Sequence, residues 1–235
     1  EFNWHGKIAA GKAIEIKGIN GAIRASAASG NEVVVVATKR AKHSDPEEVK
    51  IEVVPGDDGV TICAVYPTGR SGRVNDCAAG SAGHSETRNN DVEVEFVVKV
   101  PAGVRFIGRT VNGSVNADGL TSDAEAYTVN GGVSVATAGA VQATTVNGSI
   151  IAKMGRADWK DEMEFSTVNG SVTLTLPATA GADFEAETVN GSIETEFPVT
   201  MQGKMSPRHI SGTFGGGGRR LILKTVNGSV HLLKA

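Results

Sequence analysis

The residues of this 235-residue chain that could do chemistry are five histidines, two cysteines, a scatter of carboxylates and a recurring serine. His5, His43, His84, His209 and His231 stand apart, without the His-x-His or His-Glu-x-x-His spacing that brings two imidazoles onto one ion. Neither a metal nor a cofactor is therefore expected. Asp57-Asp58 and Asp158/Asp161/Glu162 could attract Ca²⁺, but neither follows the EF-hand loop or the nonapeptide Ca²⁺ repeat, so they read as solvated turn acids. Glycoside cleavage needs paired carboxylates on one face. The candidates Asp183, Glu185, Glu187, Glu194 and Glu196 alternate along their segments as solubilising residues do. The recurring serine has no His-Asp partner in sequence and no Gly-x-Ser-x-Gly elbow. Gly215–Gly218 with Arg219-Arg220 lacks the Lys-Ser/Thr of a phosphate loop and a helix behind it, so it reads as a flexible turn. The chain is expected not to be an enzyme.

The elements that carry these residues are set by a repeat. Thr-Val-Asn-Gly-Ser stands at Thr110–Ser114, Thr145–Ser149, Thr167–Ser171, Thr188–Ser192 and Thr225–Ser229. Thr128–Gly132 is a one-residue variant, and His209–Thr213 sits where a further copy is due. Successive starts are 16 to 22 residues apart, the period of a solenoid whose coils cannot bury an apolar face alone. Apolar and polar residues alternate before each copy, as in Phe184-Glu185-Ala186-Glu187, and after it, as in Val172-Thr173-Leu174-Thr175-Leu176. Period two means half-buried strand. Asn-Gly between two strands often makes a tight hairpin, but corners this regular fit the stacked coils of a parallel β-helix better. Glycine accepts positive φ freely and asparagine tolerates it. The expected corner pairs are Asn112-Gly113, Asn130-Gly131, Asn147-Gly148, Asn169-Gly170, Asn190-Gly191 and Asn227-Gly228. An upstream copy, Asn20-Gly21, lies in Ile14–Ala25. Seven coils spaced by about 4.8 Å would stand roughly 30 Å tall, with asparagine side chains bonding in ladders.

Strand phase leaves one question open. In an unbroken strand Thr and Asn point inward, and Val111, Val129, Val146, Val168, Val189 and Val226 form an outward apolar column, which would be an interface or lie under another segment. A bulge before the corner would turn the valines back into the core.

The fold class expected is all-β, a parallel β-solenoid of about seven to eight coils with an N-terminal antiparallel β layer. Residues 101–235 form the solenoid and 1–100 the N-terminal β region, whose first strand caps the stack. Val33–Lys39, Val49–Val54, Val60–Tyr66 and Val92–Val100 are strand-like, and Asp57-Asp58-Gly59 turns the second into the third. Residues 68–90 are rich in Gly, Ser and Asn and read as a long, mobile loop. Cys63 falls in a strand and Cys77 in that loop. A disulfide would pin the loop, contribute about 3 kcal/mol, and imply an oxidising compartment; two independent thiols are the plainer alternative. The net charge of −3 and the lone basic run Lys39-Arg40-Ala41-Lys42 argue against nucleic-acid binding. No apolar run is long enough to span a membrane as a helix. The chain begins at Glu1, which suggests a processed N-terminus, its signal peptide removed. Trp4 and Trp159 could be platforms for sugar stacking or plugs of the core.

The TVNGS coils after Lys99–Phe106 (KVPAGVRF), with Ile16–Ala25 (IKGINGAIRA) and Gly59–Pro67 (GVTICAVYP), resemble the DUF4097 adhesin-like proteins of bacteria, relatives of the GIN-domain and head-of-autotransporter-like adhesins. The resemblance spans nearly the whole chain. It implies a β-helical fold, an extracytoplasmic site in the periplasm or at the cell surface, and an adhesin-like role toward an envelope glycan or protein, or self-association as a scaffold. Some members are associated with cell-envelope stress genes. It carries over no catalytic residue, and architecture does not fix function.

Overall fold

A computed structural model describes residues 1–68, 72–160, 162–201 and 206–235. The period-two segments are strands throughout. The N-terminal region holds β1 (Phe2–Gly6), β2 (Ala13–Lys17), β3 (Ile23–Ala27), β4 (Val33–Arg40), β5 (Lys50–Gly56), β6 (Gly59–Val65) and β7 (Glu93–Val100). The middle coils hold β8 (Arg105–Arg109), β9 (Val115–Leu120), β10 (Ala124–Tyr127), β11 (Val133–Thr137), β12 (Val141–Thr144), β13 (Ile150–Met154), β14 (Met163–Ser166) and β15 (Val172–Leu176). The C-terminal part holds β16 (Ala182–Glu187), β17 (Ile193–Thr195), β18 (Thr200–Met201), β19 (His209–Phe214), β20 (Arg220–Lys224) and β21 (Val230–Lys234).

The strands form two sheets of 10 and 11 strands. Each middle coil places one strand in the 11-stranded sheet, turns at the Thr-Val-Asn-Gly corner and places the next in the 10-stranded sheet. The core lies between them. Phe96, Phe106, Phe165, Ile14, Ile16, Ile150 and Leu174 are fully buried there, and burying each side chain of this size contributes about 1.5–3 kcal/mol. The all-β solenoid expected from the repeat is the fold observed.

The corner is held by three kinds of contact. The threonines are buried and donate to a glycine carbonyl of the adjacent coil, as Thr128 does to Gly113 and Thr145 to Gly131, both at 2.8 Å. The asparagines form a ladder: the amide of Asn112 donates to Asn20, Asn130 to Asn112, Asn147 to Asn130, Asn169 to Asn147, Asn227 to Asn169 and Asn190 to Asn227, at 2.7–2.9 Å. The glycines allow the coils to approach. A Cβ on Gly148 would lie 2.0 Å from the Gly131 carbonyl oxygen, and one on Gly170 2.1 Å from that of Gly148. Close approach, more than positive φ, therefore explains the corner glycines; only Gly21 and Gly170 have φ above zero, at 119° and 158°.

The phase question resolves outward. Val129, Val146, Val168, Val189 and Val226 are 38–48% exposed, and Val111 is half-buried. The asparagines also face solvent, against the inward position that an unbroken strand would give them. Strand alternation stops at the bend, so Thr alone keeps the inward phase.

Rung order departs from chain order at both ends. Between β8 and β15 each coil stacks on the one before it. After β15 the chain leaves one slot empty. β16 and β17 lie one level too far, and the last two strands return to fill the gap: β20 between β14 and β16, β21 between β15 and β17. At the other end β2 sits between β6 and β8, and β3 between β7 and β9. His209–Thr213 is not a coil corner. It lies in β19, which pairs antiparallel with β16. Gly215–Gly218, all with positive φ of 56–93°, then turn the chain from β19 into the slot.

The outer N-terminal strands are antiparallel to their neighbours: β4 pairs with β7 and β1, and β5 forms the expected hairpin with β6. Both sheets run on without a break from these strands into the coils. The described part of the 68–90 segment is fastened to the sheet at several points. Cys77 is bonded to Cys63, their Cα atoms 5.7 Å apart. The Asn75 amide donates to the carbonyls of Tyr66 and Glu86, and Lys17 Nζ to those of Ala78, Gly80 and Ala82 at 2.7–3.0 Å. Residues 69–71 lie outside the described residues. Residues 72–90 form a strap lying on the outer face of the 11-stranded sheet.

Candidate functional site: a charged cleft on the 11-stranded sheet

The two sheets present different outer faces. At its centre the 10-stranded sheet shows mainly small or uncharged side chains: Asn116, Ser134, Ala136, Ile151, Thr173 and Thr175. The 11-stranded sheet carries charge and relief. Between β13 and β14 the chain makes its longest excursion between neighbouring middle coils, and the described part of it, 155–160 and 162, overhangs this sheet. Trp159 anchors it, buried, with Nε1 donating to the Arg220 carbonyl at 3.2 Å. That burial removes Trp159 as a sugar platform; Trp4 is half-buried against the core.

Beneath the overhang is a cleft of about 550 Å³. It is lined by Ala124, Val141 and Met163, which are buried in the core, by the half-buried Ala140, and by the polar or charged Arg105, Asp123, Glu125, Gln142, Arg156, Asp158, Lys160 and Glu162. A concave surface with this many hydrogen-bonding side chains is the build of a site for a polar ligand. The rim carboxylates each face a guanidinium. Arg156 meets Asp123 at 3.4 Å and Asp158 at 2.5 Å, Arg220 meets Glu162 at 3.0 Å, and Arg105 meets Glu125 at 3.8 Å. Of the Ca²⁺ candidates here, Asp158 and Glu162 are in ion pairs, and Asp161 lies outside the described residues.

A second polar cluster adjoins the cleft under the strap. Glu15 is buried and accepts from Arg109 Nε at 2.8 Å, Thr61 Oγ1 at 3.1 Å and the Gly80 N–H at 2.9 Å. Arg109 lies 4.0 Å from the Tyr127 ring centroid, and Tyr127 Oη donates to Glu125 at 2.9 Å. Burial, then the charge of Glu125, pushes the Tyr127 hydroxyl up to about 12, so it stays a donor. Burial lowers the pKa of Lys17, whose ammonium is fixed by the strap carbonyls. Sequence reasoning missed this cluster. The outward phase of Glu15, Lys17 and Thr61 was legible, but not the strap that covers them.

Of the remaining acids considered for glycoside cleavage, Asp183, Glu194 and Glu196 each have a partner within the protein. Asp183 accepts from Thr213 and the Gly218 N–H, Glu194 pairs with His231 at 3.4 Å, and Glu196 accepts the Lys234 N–H. The Gly218 bond engages the glycine turn with the protein's own carboxylate. His5 lies beside Glu32 and His84 beside Glu86, at 3.6 and 3.7 Å. Glu185, Glu187 and His209 come together, with ligand atoms within 4.8 Å of one another. No sequence spacing signals that triad, because antiparallel pairing of β16 and β19 creates it.

Among the described residues, no helix is long and apolar enough to cross a membrane. A sequence profile of the Toastrack DUF4097 family matches residues 86–233, which begins later than the resemblance read from the motifs. A candidate cell adhesion protein of Clostridium sporogenes aligns over 100% of this chain and 99% of its own, at 11% identity and a TM-score of 0.48. A candidate adhesin of Bacteroides fragilis aligns over 99% and 96%, at 12% identity and a TM-score of 0.34. No curated protein matches the chain. With every corner motif but the one at Asn20-Gly21 inside the matched span, the chain belongs to the Toastrack DUF4097 family.

Proposed function

We propose that this chain is a non-enzymatic binding module of the adhesin kind, exported and acting at the bacterial cell envelope. The cleft beside Trp159 carries the reading. Its many charged and polar side chains, each carboxylate beside a guanidinium, suit a polar envelope ligand such as a glycan. The bonded Cys63 and Cys77 support export, because such bridges persist in oxidising compartments. In this reading residues 101–235 are the recognising solenoid, and 1–100 close its other end.

The test is a binding screen of the purified, oxidised chain against glycans and envelope polymers. The expected result is a saturable hit that weakens in Lys160→Glu and Gln142→Ala, both at the rim and away from the core. A panel without any saturable hit contradicts the reading, as does a hit indifferent to both substitutions.

A second reading is self-assembly. β1 and β5 are edge strands, each paired on one side only, and unpaired edges invite strand addition from another chain. Sedimentation over a range of concentrations decides: growing complexes support a scaffold, a constant monomer rejects it.

A further inference from the structure

We propose that Glu185, Glu187 and His209 form a binding site for a divalent first-row transition ion, with Zn²⁺ the best fit. The three project from the outer face of the C-terminal edge of the 11-stranded sheet. Glu187 and His209 are register partners across β16 and β19, and Glu185 lies on the same face two residues before Glu187. One carboxylate oxygen from each glutamate and one imidazole nitrogen lie within 4.8 Å of one another. A tetrahedral ion with ligands at about 2.1 Å holds its donors roughly 3.4 Å apart, so these half-exposed and exposed side chains close on it by small χ rotations.

Two further features favour the site. Glu187 and His209 are exposed and neither is engaged by a hydrogen bond or ion pair among the described residues, so both are available to an ion. The backbone beneath them is fixed. β16 is bonded on both sides, by β20 and β19, and the turn that delivers His209 is closed by paired Ser206 and His209 backbone bonds at 3.1 and 3.3 Å. The donor set selects the metal. One imidazole and two carboxylates suit Zn²⁺ and its neighbours, whereas Ca²⁺ seeks six to eight oxygens. Two cations oppose the ion: Arg220, 3.3 Å from Glu185 Oε2, and Lys224, the β20 register partner of Glu187. They weaken the site without blocking it, since Glu185 keeps its second oxygen. A bound ion would tie β19, flanked outside among the described residues by Thr200–Met201 of β18, to the body of the sheet.

Isothermal titration of the chelator-treated full chain with ZnCl₂, and in parallel with CaCl₂, tests this. The expected result is one saturable Zn²⁺ site per chain, no comparable Ca²⁺ heat, and a melting temperature that rises with free Zn²⁺. Glu187→Gln and His209→Ala, both exposed and foldable by circular dichroism, should each weaken binding by about tenfold or more. His231→Ala, in the separate pair with Glu194, should leave it unchanged. Absence of saturable Zn²⁺ binding, equal uptake of Ca²⁺, or binding that survives His209→Ala overturns the proposal.

Discussion

The middle coils and the C-terminal end use the same corner, yet they are assembled differently. From β8 to β15 each coil lies on its predecessor, and the ladder runs Asn112, Asn130, Asn147, Asn169 in chain order. At the end the next rung is Asn227, and Asn190 lies beyond it. The Thr and Gly contacts are unchanged across the break: Thr225 donates to Gly170 at 2.7 Å and Thr188 to Gly228 at 2.8 Å. A corner motif therefore specifies a kind of neighbour and not which neighbour. The order of rungs is set between the corners, where Gly215–Gly218 carry the chain back into an occupied sheet.

The sharpest way to break this comparison is truncation. Chain ends are usually expendable, but residues 220–235 fill an interior slot. Their removal takes Leu221, Ile222, Leu223, Val230 and Leu232 from the core. At about 1.5–3 kcal/mol each, the loss approaches the whole stability of a domain, about 5–15 kcal/mol. Circular dichroism should show no cooperative melt. Removal of residues 1–6, the edge strand β1, should leave a folded protein with a modestly lower melting temperature. Similar melts for the two truncations would contradict the threaded order.

Gly148→Val and Gly170→Val come next. Each places a Cβ 2.0–2.1 Å from a backbone carbonyl oxygen, far inside van der Waals contact, at a cost of about 3 kcal/mol or more. Gly228→Val, at the threaded rung, should cost as much, because its Cβ would lie 2.0 Å from the Gly170 carbonyl oxygen. Urea unfolding reads all three, and an unchanged midpoint would sink the stacked-corner account. Smaller effects separate interior from terminal rungs of the ladder. Asn147→Ala breaks two side-chain bonds and Asn190→Ala one. At about 1 kcal/mol per bond, the first should destabilise about twice as much as the second.

The smallest effect lies outside the coils. Asp91 accepts backbone N–H groups of Ser44, Lys42 and His43, which hold its carboxyl down at about 2, below its ordinary 3.8. A lowered folded pKa stabilises above the unfolded value and is lost as pH falls toward the folded one. Asp91→Asn should therefore flatten part of the stability loss between about pH 4 and pH 2 in urea titrations, leaving the coils' own contribution.

Strand periods, corner residues and fold class were legible in the sequence because each is a local pattern repeated many times. Three things were not. The direction of Val129 and its equivalents depended on whether alternation survives the bend, which no spacing records. The fastening of 72–90 rests on single contacts from Cys77, Asn75 and Lys17 within a composition that otherwise signals freedom. The insertion of β20 and β21 was hidden because Thr225–Ser229 fits beneath Thr188–Ser192 or above it equally well. The cleft was half legible: the excursion around Trp159 stood out by length, but its covering of Asp123 and Glu125 follows from stacking alone.

Native-state hydrogen exchange tests the threaded order most directly. If β21 lies between β15 and β17, the amides of Val230–Lys234 exchange nearly as slowly as those of Val172–Leu176, while Ile193–Thr195 at the sheet edge exchange fast. Slow exchange in Ile193–Thr195 with fast exchange in Val230–Lys234 would place the coils in simple chain order and contradict the account.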